Sequence, residues 1–364
     1  MKRTHLARVS VGLALGLAIS ACGGNSATET TTTTAVATTT TAAITTSTAA
    51  PTTTTPEPVT VKVVTLPFIT FAPYYIGVEE GYYAKYGIEV ELVNMTVQEE
   101  ILPALSSGQV DVSSGLLSAG MFNAIERGAE VVITADKGIV DPEGCVNWSI
   151  LGRSDLIEAG ALESPEQLAG LTVNIVPATW LEYYLHVVLE SGGLTLDDIE
   201  KVNISAPAVP EALNAEQIDV AVNAEPWVTI LANSGHLPVL ALPQEVLADE
   251  SGAVMLYGPN LLGDSHDVGV RFLAGYLESV VQYAEGKTER NLDIIETFTE
   301  LDRGLLDAMC WPAINPTGDV DLGGVDDFQA FAVGRGYQDA VVSSDDYFDG
   351  SYLVEAASLF EGGG

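Results

Sequence analysis

Along residues 61–138 the spacing of apolar and polar positions switches repeatedly between two periods, and each switch marks a new element. Val61 to Leu66 is a largely apolar run that predicts a buried strand ending at Pro67. After the loop Phe68 to Ala72, a short helix is expected from Pro73, in its first position, to Glu80, with Gly81 as its stop. Ile88-Glu89-Val90-Glu91-Leu92-Val93 alternates apolar with acidic or apolar partners and reads as a strand with one wet face. A helix around Gln98 to Ser107 ends at Gly108. Val110 to Ser114 is the next strand, Met121 to Glu126 a helix, and Val131 to Ala135 another buried strand. Strands alternating with helices predict an α/β layer with a largely parallel sheet. In such sheets ligands sit beyond the carboxyl ends of the strands. That rule puts Pro67 to Phe71, Gly115 to Ser118 and Asp136-Lys137 on one wall of a site.

A second set follows after a looser stretch, Asp141 to Gly144. Cys145 to Leu151 reads as a strand, Ser164 to Gly170 as a capped one-turn helix, and Leu171 to Val176 as a strand. Thr179-Trp180-Leu181-Glu182 has the spacing of a capping box opening a helix to about Glu190. Its core stripe is Leu181, Leu185, Val188 and Leu189, and Gly192-Gly193 stops it. Val202 to Ile204 and Ile218 to Asn223 are strands, with a short helix at Ala208 to Asn214 between them and another opened by Glu225-Pro226-Trp227. Gly252 to Tyr257 reads as a strand, and Val268 to Glu285 and Arg290 to Met309 as longer amphipathic helices. Two α/β sets, joined by strand crossings near Val146 to Gly152 and Gly252 to Gly258, predict a bilobed α/β protein with its cleft between the two sets of strand ends. The expected divisions are residues 61–148 and 253–364 for the first lobe and 149–252 for the second.

The N-terminus belongs to neither lobe. Lys2, Arg3 and Arg8 precede an apolar run, Val9 to Ile19, of about ten residues, too short to span a bilayer and suited to a secretory signal. The run ends in Ile19-Ser20-Ala21-Cys22-Gly23, which resembles a bacterial lipobox. That resemblance implies a signal peptide over residues 1–21, cleavage before Cys22 and lipid on the thiol and amine of Cys22, anchoring the protein to a membrane. Residues 22–60 are then a tether. Rich in Thr, Ala and Pro with few large apolar side chains, it has too little to bury to form a core. As a flexible coil of ~37 residues it would reach roughly 35 Å.

Charge narrows the partners. The chain carries 50 acidic residues against 14 Lys and Arg. Removing the leader takes three of the basic residues and none of the acids, leaving a net charge of −39. Such a surface repels nucleic acid and anionic membrane. No Cys/His cluster has metal-ligand spacing, and nothing in the sequence calls for a cofactor. Cys145 and Cys310 are the two cysteines beyond Cys22, and their spacing leaves a disulfide between them open.

Several stretches resemble the solute-binding proteins of ABC importers, in the group of sulfonate-, taurine-, nitrate- and thiamine-pyrimidine-binding proteins. They are Pro73 to Gly77 leading to Glu80 to Tyr83, Tyr86 to Leu92, Ala104 to Val112, Ser118 to Gly128, Leu168 to Val173 and Glu225-Pro226. The likeness runs over about Val61 to Gly235. It implies the type II periplasmic-binding architecture and a non-enzymatic, monomeric receptor. Such a receptor passes a small-molecule ligand to permease and ATPase subunits at the outer face of the cell membrane. An enzyme that forms a pyrimidine shares this fold, and the resemblance implies that it needs a cysteine-rich stretch absent here. A sensing lipoprotein without transport is the alternative of another class.

The residues expected to hold the ligand are mostly aromatic: Phe68, Phe71, Tyr74 and Tyr75 beside the first strand end, and Trp148, Trp180 and Trp227 in the second set. Such rings give large, rigid contact area at small entropic cost. Ser118 and Thr179 stand where helix N-termini would face a cleft, Thr179 also being a cap for its own helix. Glu225 either caps the helix after it or accepts from a ligand amino group, and Asp136 pairs with Lys137 or with the ligand. Few basic residues lie near strand ends, which favours a flat neutral or cationic heterocycle, such as a pyrimidine or flavin-like nutrient, over a sulfonate, taurine or nitrate.

Overall fold

The computed structural model describes residues 58–95, 98–145, 147–240 and 246–362. The leader, Cys22 and all but the last three residues of the expected tether lie outside the described residues. In chain order, β1 (Val59–Thr65) leads through a 3-10 turn at Ile69–Phe71 to α1 (Ala72–Glu79) and α2 (Tyr82–Lys85). Then come β2 (Ile88–Asn94), α3 (Gln98–Ser106), β3 (Val112–Leu116), α4 (Ala119–Glu126) and β4 (Val132–Ile139). The second set is β5 (Trp148–Gly152), α5 (Ser154–Glu158), β6 (Thr172–Asn174), α6 (Trp180–Ser191), β7 (Glu200–Val202), α7 (Val209–Asn214), β8 (Val220–Ala224), α8 (Trp227–Asn233) and β9 (Pro238–Leu240). The chain then returns as β10 (Ser251–Tyr257) and ends in six helices. These are α9 (His266–Tyr283), α10 (Glu289–Thr299), α11 (Arg303–Ala308), α12 (Leu322–Gly334), α13 (Ser344–Tyr347) and α14 (Ser351–Gly362).

The strands form two five-stranded sheets, ordered β2-β1-β3-β10-β4 and β7-β6-β8-β5-β9. In the first, β1 runs parallel to β2 and β3, with Val61 opposite Val90 and Val63 opposite Val112. β10 lies antiparallel between β3 and β4, with Met255 opposite both Ser114 and Ala135. In the second, β6 is parallel to β7 and β8, and β5 is antiparallel to β8 with Ile150 opposite Val222. This is the bilobed α/β architecture. The strands expected to make the crossings, β5 and β10, instead lie inside their sheets. Every residue of both is buried and each is paired on both sides, so their apolar runs belong in a core. The strand order takes the chain from the first sheet to the second between β4 and β5 and back between β9 and β10.

Packing follows the pattern of the sequence. Leu181, Leu185, Val188 and Leu189 of α6 are buried, as are Tyr276, Val280 and Tyr283 of α9. α9 lies against α1, α2 and α14 on the first lobe. Gly275 lets it approach α2, because a Cβ there would stand 2.7 Å from the Tyr83 ring. The helix expected over Arg290 to Met309 is two. Glu300 takes a left-handed φ of 57° after α10, and Asp302 restarts the chain by accepting from the Gly304 amide at 2.8 Å. α12 touches both lobes. Its Phe328 has a ring centroid 6.2 Å from Phe122 of α4 and 6.4 Å from Tyr183 of α6. Cys145 and Cys310 form a disulfide, which answers the question their spacing left open and ties the first crossing to the segment after α11.

Candidate ligand-binding site

The first wall is built at the carboxyl ends of β1, β3 and β4. Pro67 ends β1 because it has no amide to give the ladder, and the turn that follows carries Phe68 and Phe71. Phe68 is partly exposed and Phe71 is buried. Tyr74 lies fully inside the first lobe, where its hydroxyl bonds to that of Ser114 and its ring packs on Tyr276. Tyr75 turns away from the wall to stack on Phe298 of α10, with centroids 5.2 Å apart. Both tyrosines therefore serve the core, since α1 buries the face that carries them.

Asp136 and Lys137 do not pair, because successive strand side chains leave on opposite faces. One Asp136 oxygen accepts from the Asn315 amide at 2.9 Å, and burial pushes this carboxyl up to about 7. Lys137 runs under the turn after β1, its Nζ 3.7 Å from the centroid of Phe71 and 5.7 Å from that of Tyr74. Its Nζ is buried and has no hydrogen-bond partner. Burial pulls its pKa well down, and the charge of Asp136 opposes that pull.

The helix N-termini expected to stand open across the cleft meet each other. Ser118 and Thr179 form an antiparallel bridge between the lobes. The Ala119 amide donates to the Ala178 carbonyl and the Trp180 amide to the Leu117 carbonyl, both at 2.9 Å. Those two amides are thus spent on the partner lobe, while Ser118 caps α4 by accepting from Met121 at 3.3 Å. The expected capping box is not formed either. Ala178 is left-handed at φ 57°, and its amide, at 2.6 Å, is the one that meets Glu182. Thr179 donates its hydroxyl back to the Val176 carbonyl at 2.8 Å. Glu182 also receives Lys201 at 2.6 Å and the Tyr337 hydroxyl at 3.1 Å, so it is a buried tie between α6 and the C-terminal region.

The second wall ends β8 and opens α8. Glu225 is buried, and its oxygens accept from the Thr229 amide at 3.1 Å, the Thr229 hydroxyl at 2.8 Å and the Cys310 amide at 2.9 Å. Burial raises its pKa, against the pull of these donors. It caps α8, one of the two roles read from sequence, and also holds the segment after α11. Trp227, the first residue of α8, is partly exposed, and its indole Nε1 is buried without a partner. Asn223 on β8 is in the same condition at its Nδ2. Asn223 is not among the expected contacts, although a polar residue one place from the end of a buried strand is legible in the sequence.

Trp148 and Trp180 form the floor beneath the second crossing. Their centroids are 4.6 Å apart, and a Cβ on Gly252 would come within 2.9 Å of Trp180 and 3.1 Å of Trp148. Only a glycine admits the pair so close to β10. Glu250, just before it, is pushed up to about 7 by burial and by Asp327 and Asp321, with the Trp180 indole opposing. Trp180 is therefore packed against β5 and β10 with no exposed surface. Of the expected contacts, Phe68, Phe71 and Trp227 follow strand ends, Asp136 lies buried inside β4, which runs on to Ile139, and Tyr74, Tyr75, Trp148, Trp180 and Glu225 make packing or tie contacts.

Among the described residues no group of three or more His, Cys, Asp or Glu could hold a metal, and no helix is long and apolar enough to cross a membrane. A model of the NMT1-like family matches residues 54–257. No curated protein matches the chain. Among solved structures, the ligand-binding component of an ABC-type import system from Staphylococcus aureus, with zinc bound, gives a TM-score of 0.68 at 18% identity, over 82% of this chain and 99% of that one. The alkanesulfonate-binding protein SsuA from Xanthomonas axonopodis pv. citri, bound to MOPS, gives 0.61 at 14% identity, over 79% and 96%. The desulfurization enzyme DSZB gives 0.60 at 13% identity, over 83% and 99%. These likenesses show a shared fold.

Proposed function

The chain belongs to the NMT1-like family, and on that premise we propose that it is the extracytoplasmic solute-binding protein of an ABC importer. It captures a small organic nutrient between its lobes and delivers it to permease and ATPase subunits that it does not itself contain. Lipid on Cys22 holds it at the outer face of the membrane, and residues 22–60 give the lobes reach. Binding rather than catalysis is the reading that the likeness to import-system binding proteins supports. The observation that carries the proposal is the meeting of the two sheets' loops: the segment after β3 and the segment after β6 join through the Ser118–Thr179 bridge, and the strand order takes the chain from one sheet to the other and back. Two crossings of that kind permit hinge closure on a ligand.

A flat ring, as in a pyrimidine or flavin-like nutrient, suits the partly exposed rings of Phe68 and Trp227. A sulfonate, taurine or nitrate is the other class, and the sulfonate-binding neighbour favours it. The test is a thermal-shift screen of the full chain in detergent against pyrimidines, thiamine, riboflavin, taurine, alkanesulfonates and nitrate. A ligand present at about 100 times its Kd adds ~2.7 kcal/mol of stability. A shift with one chemical class and none with the others supports the receptor. The absence of any shift across the panel counts against it.

A further inference from the structure

The groups left unpaired at the two walls include donors on each: Lys137 Nζ in the last half of β4, Asn223 Nδ2 near the end of β8 and Trp227 Nε1 at the start of α8. Buried donors without acceptors are rare in folded proteins and costly, and a buried amine holds its proton only when an anion joins it. For Lys137 the ring faces of Phe71 and Tyr74 do not offset taking an ammonium out of water. Asp136, next to it on the strand, does not form an ion pair with it and is itself bonded to Asn315. A methionine would fill the same volume under Phe71 without this cost. The lysine lies two residues before the end of β4, and the ring nearest its Nζ, that of Phe71, is carried on the turn after Pro67.

We propose that Lys137 is the anchor for an acidic group of the solute, reached when the Phe68–Phe71 turn moves aside. This rests on the receptor reading and deepens it by naming the ligand class: a small ring-bearing acid, a carboxylate or a sulfonate, with Trp227 and Asn223 donating to it from the second lobe. The strongly acidic surface does not contradict this, because a desolvated cation acts over a few ångströms where the surface charge is screened by salt. Excess negative charge slows the approach of an anion rather than forbidding the bound state.

Matched pairs of probes test it: nicotinate with nicotinamide, orotate with uracil, and benzenesulfonate with benzenesulfonamide. Each is titrated calorimetrically into the full chain, into Lys137→Met and, should Met fold poorly, into Lys137→Leu. The expected result is that the acid of at least one pair binds ten-fold or more tightly than its neutral partner, and that the substitution removes the difference while the variant melts no lower than the parent. A structural lysine would change the melting temperature and leave selectivity alone. Preference for neutral members, equal binding within every pair, no binding by any acid, or a preference that survives in the variant would each overturn the proposal. Binding of neutral members alone would still leave the receptor standing, so the two failures are told apart.

Discussion

Glu225 shows one of the two roles read from sequence, the cap of the helix after it, joined to a second that sequence did not show, the hold on a distant segment. Three donors converge on its carboxylate, two from Thr229 and one from the Cys310 amide. Glu225→Ala leaves them without an acceptor in a buried place and should lower the unfolding free energy by about 2–4 kcal/mol, measured by denaturant titration. Glu250 makes a different prediction. Its carboxyl, ordinarily at 4.5, is pushed up to about 7 in the folded protein, chiefly by burial. The folded state therefore keeps a proton that the unfolded chain has already lost. This contribution to stability is whole below about pH 4 and falls away as pH rises to about 7. Melting curves across that range should show Glu250→Gln flattening the decline by about 2–3 kcal/mol. At this scale the sequence spoke clearly about residue type and poorly about partners. Nothing in Thr179-Trp180-Leu181-Glu182 foretold that Ala178 would turn left-handed and give its own amide to Glu182. Lys137 was visible as a cation at a strand end, yet its lack of a partner depends on a ring that only the folded chain brings over it.

At the scale of elements, period and punctuation carried most of the fold. The alternation of Ile88 to Val93 and the buried run of Val61 to Leu66 became paired neighbours, β2 and β1. The helix break at Glu300 was not legible, because a left-handed glutamate leaves no composition signal of the kind a glycine does. The two crossings were placed on strands for a similar reason: a fully buried strand and a crossing strand read alike as apolar runs. The segment after α11 has no periodic signal, and it is the element that joins most of the site. Its Cys310 is bonded to Cys145 and its amide to Glu225, while Ala313 and Asn315 donate or accept along β4. Removing the link in a Cys145→Ala, Cys310→Ala double variant should cost about 2–4 kcal/mol in unfolding. The comparison with the parent under reducing conditions should give the same loss. A double variant as stable as the oxidised parent would show that the hydrogen bonds alone hold this segment.

For the whole molecule, the two-lobed architecture was the part most open to reading from sequence, since repeated strand–helix alternation broken once in the middle has few other solutions. What was closed to it was the relation of the lobes. The bridge of Ser118 with Thr179 brings together two loops separated by sixty residues, and α12 packs against both α4 and α6. The molecule as described is therefore a joined pair of lobes whose walls retain unpaired donors. The central claim is that a solute completes them. Its most direct measurement is an isothermal titration of the best compound from the screen into the full chain and into Trp227→Ala. The account predicts one molecule bound per chain and at least a ten-fold weaker Kd in the variant, with the variant's fold intact by circular dichroism. Binding of equal strength in both, or a stoichiometry that never saturates at one per chain, would contradict it.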